Sequence, residues 1–175
     1  MASFVQRMIG AAKLNAATYE EVEGDVGATG QALVVVFLSA LAIIIGNIGT
    51  GQVNQLASFV GGLLGWGTWI FLVWFVGVKL MPEAATKSDV GELIRTTGFA
   101  ATPGLLRVFG VVPLLGWLVV IVAWLWTLAA MVVAVRQALD YRSTARAIAV
   151  CVIGFIGQLA VLYLEGKVLN TAMAV

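Results

Sequence analysis

The sequence predicts an all-α integral membrane protein, a bundle of five transmembrane helices with a kinked third span and a short amphipathic N-terminal segment. Three observations predict it. The 175 residues are 61% hydrophobic and 11% charged, where soluble domains run near ~45–50% and ~25%. The apolar residues fall in near-continuous runs of the ~20 residues needed to cross a ~30 Å hydrocarbon layer. Apart from Arg107 and Lys167 in the C-terminal tail, Lys and Arg fall in or beside alternate loops, as the positive-inside rule requires of a multispan chain. Little chain remains for a soluble domain, so residues 1–30 read as a cytoplasmic amphipathic and acidic segment and residues 31–175 as one membrane domain.

In the N-terminal segment Phe4, Met8 and Ala12 recur at helical spacing beside Val5 and Ile9, with Arg7 and Lys13 among them. That pattern predicts a short helix lying at the membrane interface. No continuous apolar region follows the start, so it does not read as a signal peptide. Thr18 with Glu21 fits a capping box opening a second short helix. Glu20, Glu21, Glu23 and Asp25 form an acidic cluster. It reads either as a solvated first helical turn favoured by the helix dipole or as a docking surface for basic loops or a partner.

Span one covers about residues 31–49 and has no charge at its centre. Span two, about residues 56–80, contains Gly61 and Gly65, a G-x-x-x-G pair that lets a neighbouring helix approach closely, within the chain or across a homo-oligomer. Pro82 stops it. The charged connection that follows supplies Ser88 or Asp89 as an N-cap.

Span three, about residues 93–112, is the irregular one, and the other four are expected to pack around it. From Arg95 to Gly116 the chain carries two arginines, two prolines and four glycines. Pro103 removes a backbone donor, so a kink is expected at Pro103 and Gly104. Arg107 lies 12 residues beyond Arg95, or roughly 18 Å along a helix, and so past the midplane. Span four, about residues 117–135, is uniformly apolar. Span five, about residues 147–164, ends at Glu165.

Arg7 and Lys13 precede span one. Lys79, Lys87 and Arg95 flank the loop after span two, and Arg136, Arg142 and Arg146 follow span four. The remaining two loops hold no Lys or Arg. Five spans alternate cleanly under this count, with the N-terminus in the cytoplasm, the C-terminus outside, and a bacterial inner membrane as the setting. A four-span alternative, with span three as a re-entrant hairpin, places basic loops on both sides. In the five-span scheme Arg95, Arg136, Arg142 and Arg146 form a cytoplasmic basic face suited to anionic lipid headgroups. Arg107 and Glu165 fall together toward the outer leaflet. An unpaired charge in hydrocarbon costs at least ~2.5–3.5 kcal/mol, so they are expected to pair or to snorkel separately to water.

The residues carry little else that is chemical. There is no histidine, which removes the commonest general base and metal ligand. No Gly-Lys-Ser/Thr phosphate loop is present. Glu20, Glu23 and Asp25 lack the spacing of a closed cation loop. Cys151 lies in an apolar run without a base to activate it. A net charge of +1 exerts no general pull on nucleic acid. No enzyme activity and no cofactor is expected.

Several stretches resemble one family: Tyr19-Glu20-Glu21-Val22-Glu23, Ala101-Thr102-Pro103-Gly104-Leu105-Leu106, the run from Trp126 to Leu139, and Arg146-Ala147-Ile148-Ala149 after the basic loop. With five predicted spans they look like a prokaryotic member of the Yip family, the Ypt/Rab-interacting, membrane-trafficking-type domain proteins. The resemblance covers roughly residues 1–165. It implies a non-enzymatic multispan membrane protein acting as a scaffold, adaptor or membrane organiser, with a protein partner it does not identify. The cytoplasmic Asp-Leu-Tyr-Gly-Pro signature of the eukaryotic relatives is absent, and Tyr19 with Glu20 and Glu21 occupies the comparable region. Two further readings stand beside the scaffold. One is a small oligomeric transporter or channel built on the broken third span. The other is an accessory subunit of a larger membrane complex.

Overall fold

The structure is a computed structural model. It describes the backbone of residues 2–48 and 55–173 and the side chains of residues 2–48, 59–161 and 163. Every element among the described residues is helical, and none is a strand. Four helices are long and apolar enough to cross a membrane: Ala28–Gly46, Phe59–Leu80, Gly116–Ala138 and Thr144–Val161.

Two short helices come first. α1 (Phe4–Ala12) opens on a capping box between Ser3 and Gln6. α2 (Ala16–Gly24) is capped by Asn15, whose side chain accepts from the Ala17 N–H. The expected Thr18 cap is therefore corrected: helix geometry is already established at Ala16, and Thr18 lies inside the helix against Gly10. Residues 1–30 pack onto the helices that follow. Ala11, Tyr19 and Val22 share a core with Ala32, Val35, Phe99, Ala130 and Ala134, and α3 (Ala28–Gly46) begins before residue 31. The Trp126 indole N–H donates to the Ala12 carbonyl at 2.7 Å. Trp126 is twelve residues short of Ala138, so α1 reaches about 18 Å along its neighbour.

α4 (Gln55–Trp74) continues into a π-helical turn, Phe75–Leu80, and ends before Pro82. Leu139 packs onto Gly77, where a Cβ would come within 2.4 Å of its Cδ1. The Tyr141 hydroxyl meets the Gly77 and Met81 carbonyls at 2.9 and 2.7 Å, where the turn ends.

α5 (Val90–Ala100) starts on a capping box between Asp89 and Glu92. The chain then tightens into a 3₁₀ helix, Thr102–Val111, with Pro103 in its first turn. Proline is tolerated there because the first N–H groups have no intrahelical partner. Gly98 lies against Ala32, Gly104 against Ser39 and Gly110 against Gly46. α5 and the 3₁₀ helix therefore run alongside α3 in the same direction. Ala32 to Gly46 rises about 21 Å at α-helical pitch. Twelve residues from Gly98 to Gly110 match that height because most of them rise ~2.0 Å each. By the same arithmetic Arg107 lies about 21 Å beyond Arg95, further than an unbroken helix allows.

Leu114, at φ 68°, turns the chain into α6 (Gly116–Ala138), and α7 (Thr144–Met173) closes the bundle. α7 packs on α4 through Gly154 against Val73 and Gln158 against Gly65, whose carbonyl accepts from Nε2 at 2.9 Å. A second core of Ile70, Val73, Leu93, Val135, Leu139 and Val150 joins these helices.

Of the G-x-x-x-G pair, Gly65 meets Gln158, while among the described residues a Cβ at Gly61 would meet nothing within 4 Å. Close approach is also made where α3 meets the 3₁₀ helix, since a Cβ at Gly46 would lie 2.0 Å from the Arg107 carbonyl oxygen.

Candidate functional site

The charged residues gather at the end of the bundle that holds α2 and the loops before α5 and after α6. The acidic cluster expected to act as a unit is divided by the fold, and it is not in a first helical turn. Residues 20–25 occupy the second half of α2 and its C-cap, where the helix dipole disfavours negative charge. Cations compensate. Arg7, 2% exposed, places Nη2 3.0 Å from Glu21 Oε1 and 2.6 Å from Asp25 Oδ2. Its Nη1 donates to Gln31 Oε1 at 3.2 Å. The Ala2 N–H and Arg7 hold the Glu21 carboxyl below the usual carboxylate range, and Arg7 does the same to Asp25. The sequence reading missed Arg7 as the hub. The signal was its helical phase, three residues after Phe4 and four before Ala11 on the face that packs inward.

Arg95 is corrected from surface to interior. It is 7% exposed, and its Nε donates to the Val22 and Glu23 carbonyls at 3.2 and 2.9 Å. Those carbonyls end α2, so Arg95 is its C-terminal cation. Arg136 bonds the Tyr141 carbonyl through Nε at 3.2 Å. Arg146 pairs with Glu83 at 3.5 Å and reaches the Pro82 carbonyl, while the exposed Arg142 offers its backbone N–H to Glu83. Of the four arginines expected on one basic face, one is buried and two are tied to neighbouring loops.

What remains open is a cleft of about 500 Å³ bordered by Glu20, Glu23, Glu92, Asp140, Arg136 and Arg142. Glu20 accepts from Gln137 Nε2 at 2.8 Å across it. Burial, and then the negative charges of Asp140, Glu92 and Glu20, push the Glu23 carboxyl up to about 7, against the pull of Arg95. The carboxyl thus gains charge as pH rises through neutrality. With all four acids ionised the border carries four negative and two positive charges, a net of −2. Among the described residues no group of three or more Cys, Asp or Glu is arranged to hold a metal ion.

At the other end of the bundle Arg107, half-buried, faces two apolar depressions. No hydrogen bond or ion pair of its guanidinium occurs among the described residues. The expected Arg107–Glu165 pair lies outside them, because the Glu165 side chain is not described. Cys151 is half-buried in the wall of the larger depression.

A chain helical throughout its described residues, with four membrane-length apolar helices and most of its described charge at one end, is a multipass membrane protein. The family model described as the Yip1 domain matches residues 15–164, and the chain belongs to that family. No curated protein and no solved structure matches it.

Proposed function

We propose that this Yip1-family chain is a non-enzymatic membrane scaffold whose charged cleft receives a short basic segment of a partner protein. The observation that carries this reading is the cleft border. Glu20, Glu23, Glu92 and Asp140 outnumber Arg136 and Arg142, and Arg136 is already engaged with Tyr141. A photo-crosslinking side chain at Arg142 is expected to form adducts with a Lys-rich peptide. Glu20→Lys with Glu92→Lys is expected to abolish them. Glu23 loses its charge below its pKa, so affinity is expected to fall as pH drops from 8 to 6, by up to about fivefold for one exposed ion pair. Glu23→Gln removes that dependence. Adducts that survive the charge reversal and do not change with pH would refute the reading.

The segment from Val90 to Val111 we read as a fifth crossing, with the N-terminus cytoplasmic and the C-terminus outside a bacterial inner membrane. Its support is the matched height against α3 and the basic loops at one end. In a Cys151→Ser background, cysteines at Ala2 and Leu114 are expected to label from opposite sides. Labelling from one side returns the chain to four crossings. The transport alternative has less support, because Gly46, Gly104 and Gly110 draw the broken segment into close contact with α3 where a solute path would run.

A further inference from the structure

The larger depression at Arg107 has the form of a lipid site. Its volume is about 640 Å³, within the ~300–1,000 Å³ usual for small-molecule sites. It lies along α6 and α7, with Arg107, Trp124 and Gln158 at one end and Val132 and Ile148 at the other. Gln158 and Ile148 are ten residues apart on α7, so the groove is about 15 Å long. Its walls are almost wholly apolar, and Trp124, Val152 and Phe155 are about half exposed, so it opens toward the surrounding bilayer. One end therefore holds a cation and the rest holds hydrocarbon.

The charge identifies the occupant. Arg107 lies on the 3₁₀ helix where its carbonyl touches Gly46, the last residue of α3, and it faces Val120 and Trp124 on α6. Those residues are four and eight positions past Gly116, or about 6–12 Å in from the end of that helix. A guanidinium at that depth without a counterion is costly. Its planar fork matches a phosphate through two parallel hydrogen bonds. A buried indole N–H on the same wall, Trp66 Nε1, is also without an acceptor among the described residues.

We propose that this groove binds an anionic phospholipid, its phosphate on Arg107 and one acyl chain along α6 and α7. The site stands apart from the charged cleft, and replacing Arg107 leaves that cleft intact. The groove contains Trp66, Trp69 and Trp124, so a chain seated there is read by tryptophan quenching. The protein is placed in nanodiscs of phosphatidylcholine carrying equal small fractions of acyl-brominated phosphatidylglycerol or acyl-brominated phosphatidylcholine. Wild type is expected to be quenched at about tenfold lower brominated phosphatidylglycerol, the worth of one charge-assisted contact. Arg107→Gln is expected to remove the preference and Arg107→Lys to keep part of it. Val152→Phe, which fills the groove without touching the charge or adding a fluorophore, is expected to reduce quenching by both lipids. Arg136→Gln with Arg142→Gln, at the opposite end, is expected to leave the preference intact. Equal quenching of wild type by the two lipids would overturn the proposal. So would a preference that appears only in Glu165→Gln, since Glu165 would then be the occupant's rival and the true counterion. A preference that inorganic phosphate abolishes would also overturn it, by showing a free-anion site.

Discussion

Replacing Arg7 by alanine is expected to lower the stability of the chain by about 2–4 kcal/mol, short of the ~3–5 kcal/mol for breaking a fully buried pair. The discount follows from its partners, since the Glu21 and Asp25 side chains keep 34% and 20% of their surface exposed while Arg7 keeps 2%. The loss has two sources. Two carboxylates at the unfavourable end of α2 lose their cation, and Gln31 and Glu21 lose a donor that ties α1 to the start of α3. Neutralising the whole group at once, with Arg7→Met, Glu21→Gln and Asp25→Asn, is expected to recover most of the loss, because no charge is then left unpaired. Unfolding in mixed detergent micelles followed by circular dichroism measures both. An alanine variant within about 0.5 kcal/mol of wild type would show that α1 does not depend on this contact.

Gly46→Val is expected to prevent the native bundle from forming in the same assay. A Cβ there would lie 2.0 Å from the Arg107 carbonyl oxygen and 3.1 Å from its carbon. Both are backbone atoms of a helix clamped on its other side by α6, so no rotamer change relieves the clash. Overpacking against movable side chains costs ~1–3 kcal/mol, and a clash between two backbones should exceed that. Gly61→Val is the control. Among the described residues nothing lies within 4 Å of its Cβ position, and only a helix-propensity difference of about 0.3–0.5 kcal/mol, in valine's favour, is at stake. Equal losses at the two glycines would mean that α3 and the 3₁₀ helix are not in contact.

These two variants mark the limits of what the sequence discloses. Gly61 and Gly65 form the motif a reader of sequence would choose, yet Gly46, Gly98, Gly104 and Gly110 make close contacts as well, without a shared motif. Spacing along one helix shows which residues share a face, but not which helix will arrive there. Arg7 and Arg95 looked like members of basic segments flanking the membrane. Both are buried because the α2 helix ends between them with exposed carbonyls and a cluster of acids. Pro103 was legible as a disruption, but not the geometry it takes. A 3₁₀ helix is chosen here because a segment of fewer residues must keep pace with α3.

By itself the sequence determined the class, the long helices and the family. Those depend on the transfer of apolar runs from water and on the local placement of charge, quantities that each segment carries wherever it packs. Only the tertiary structure decided which acids face which arginines, which glycines touch, and that a charged cleft and an arginine-headed groove lie at opposite ends. Those are relations between residues far apart in the chain. They are set by which backbones come close enough to exclude everything but hydrogen, and no segment holds that information alone.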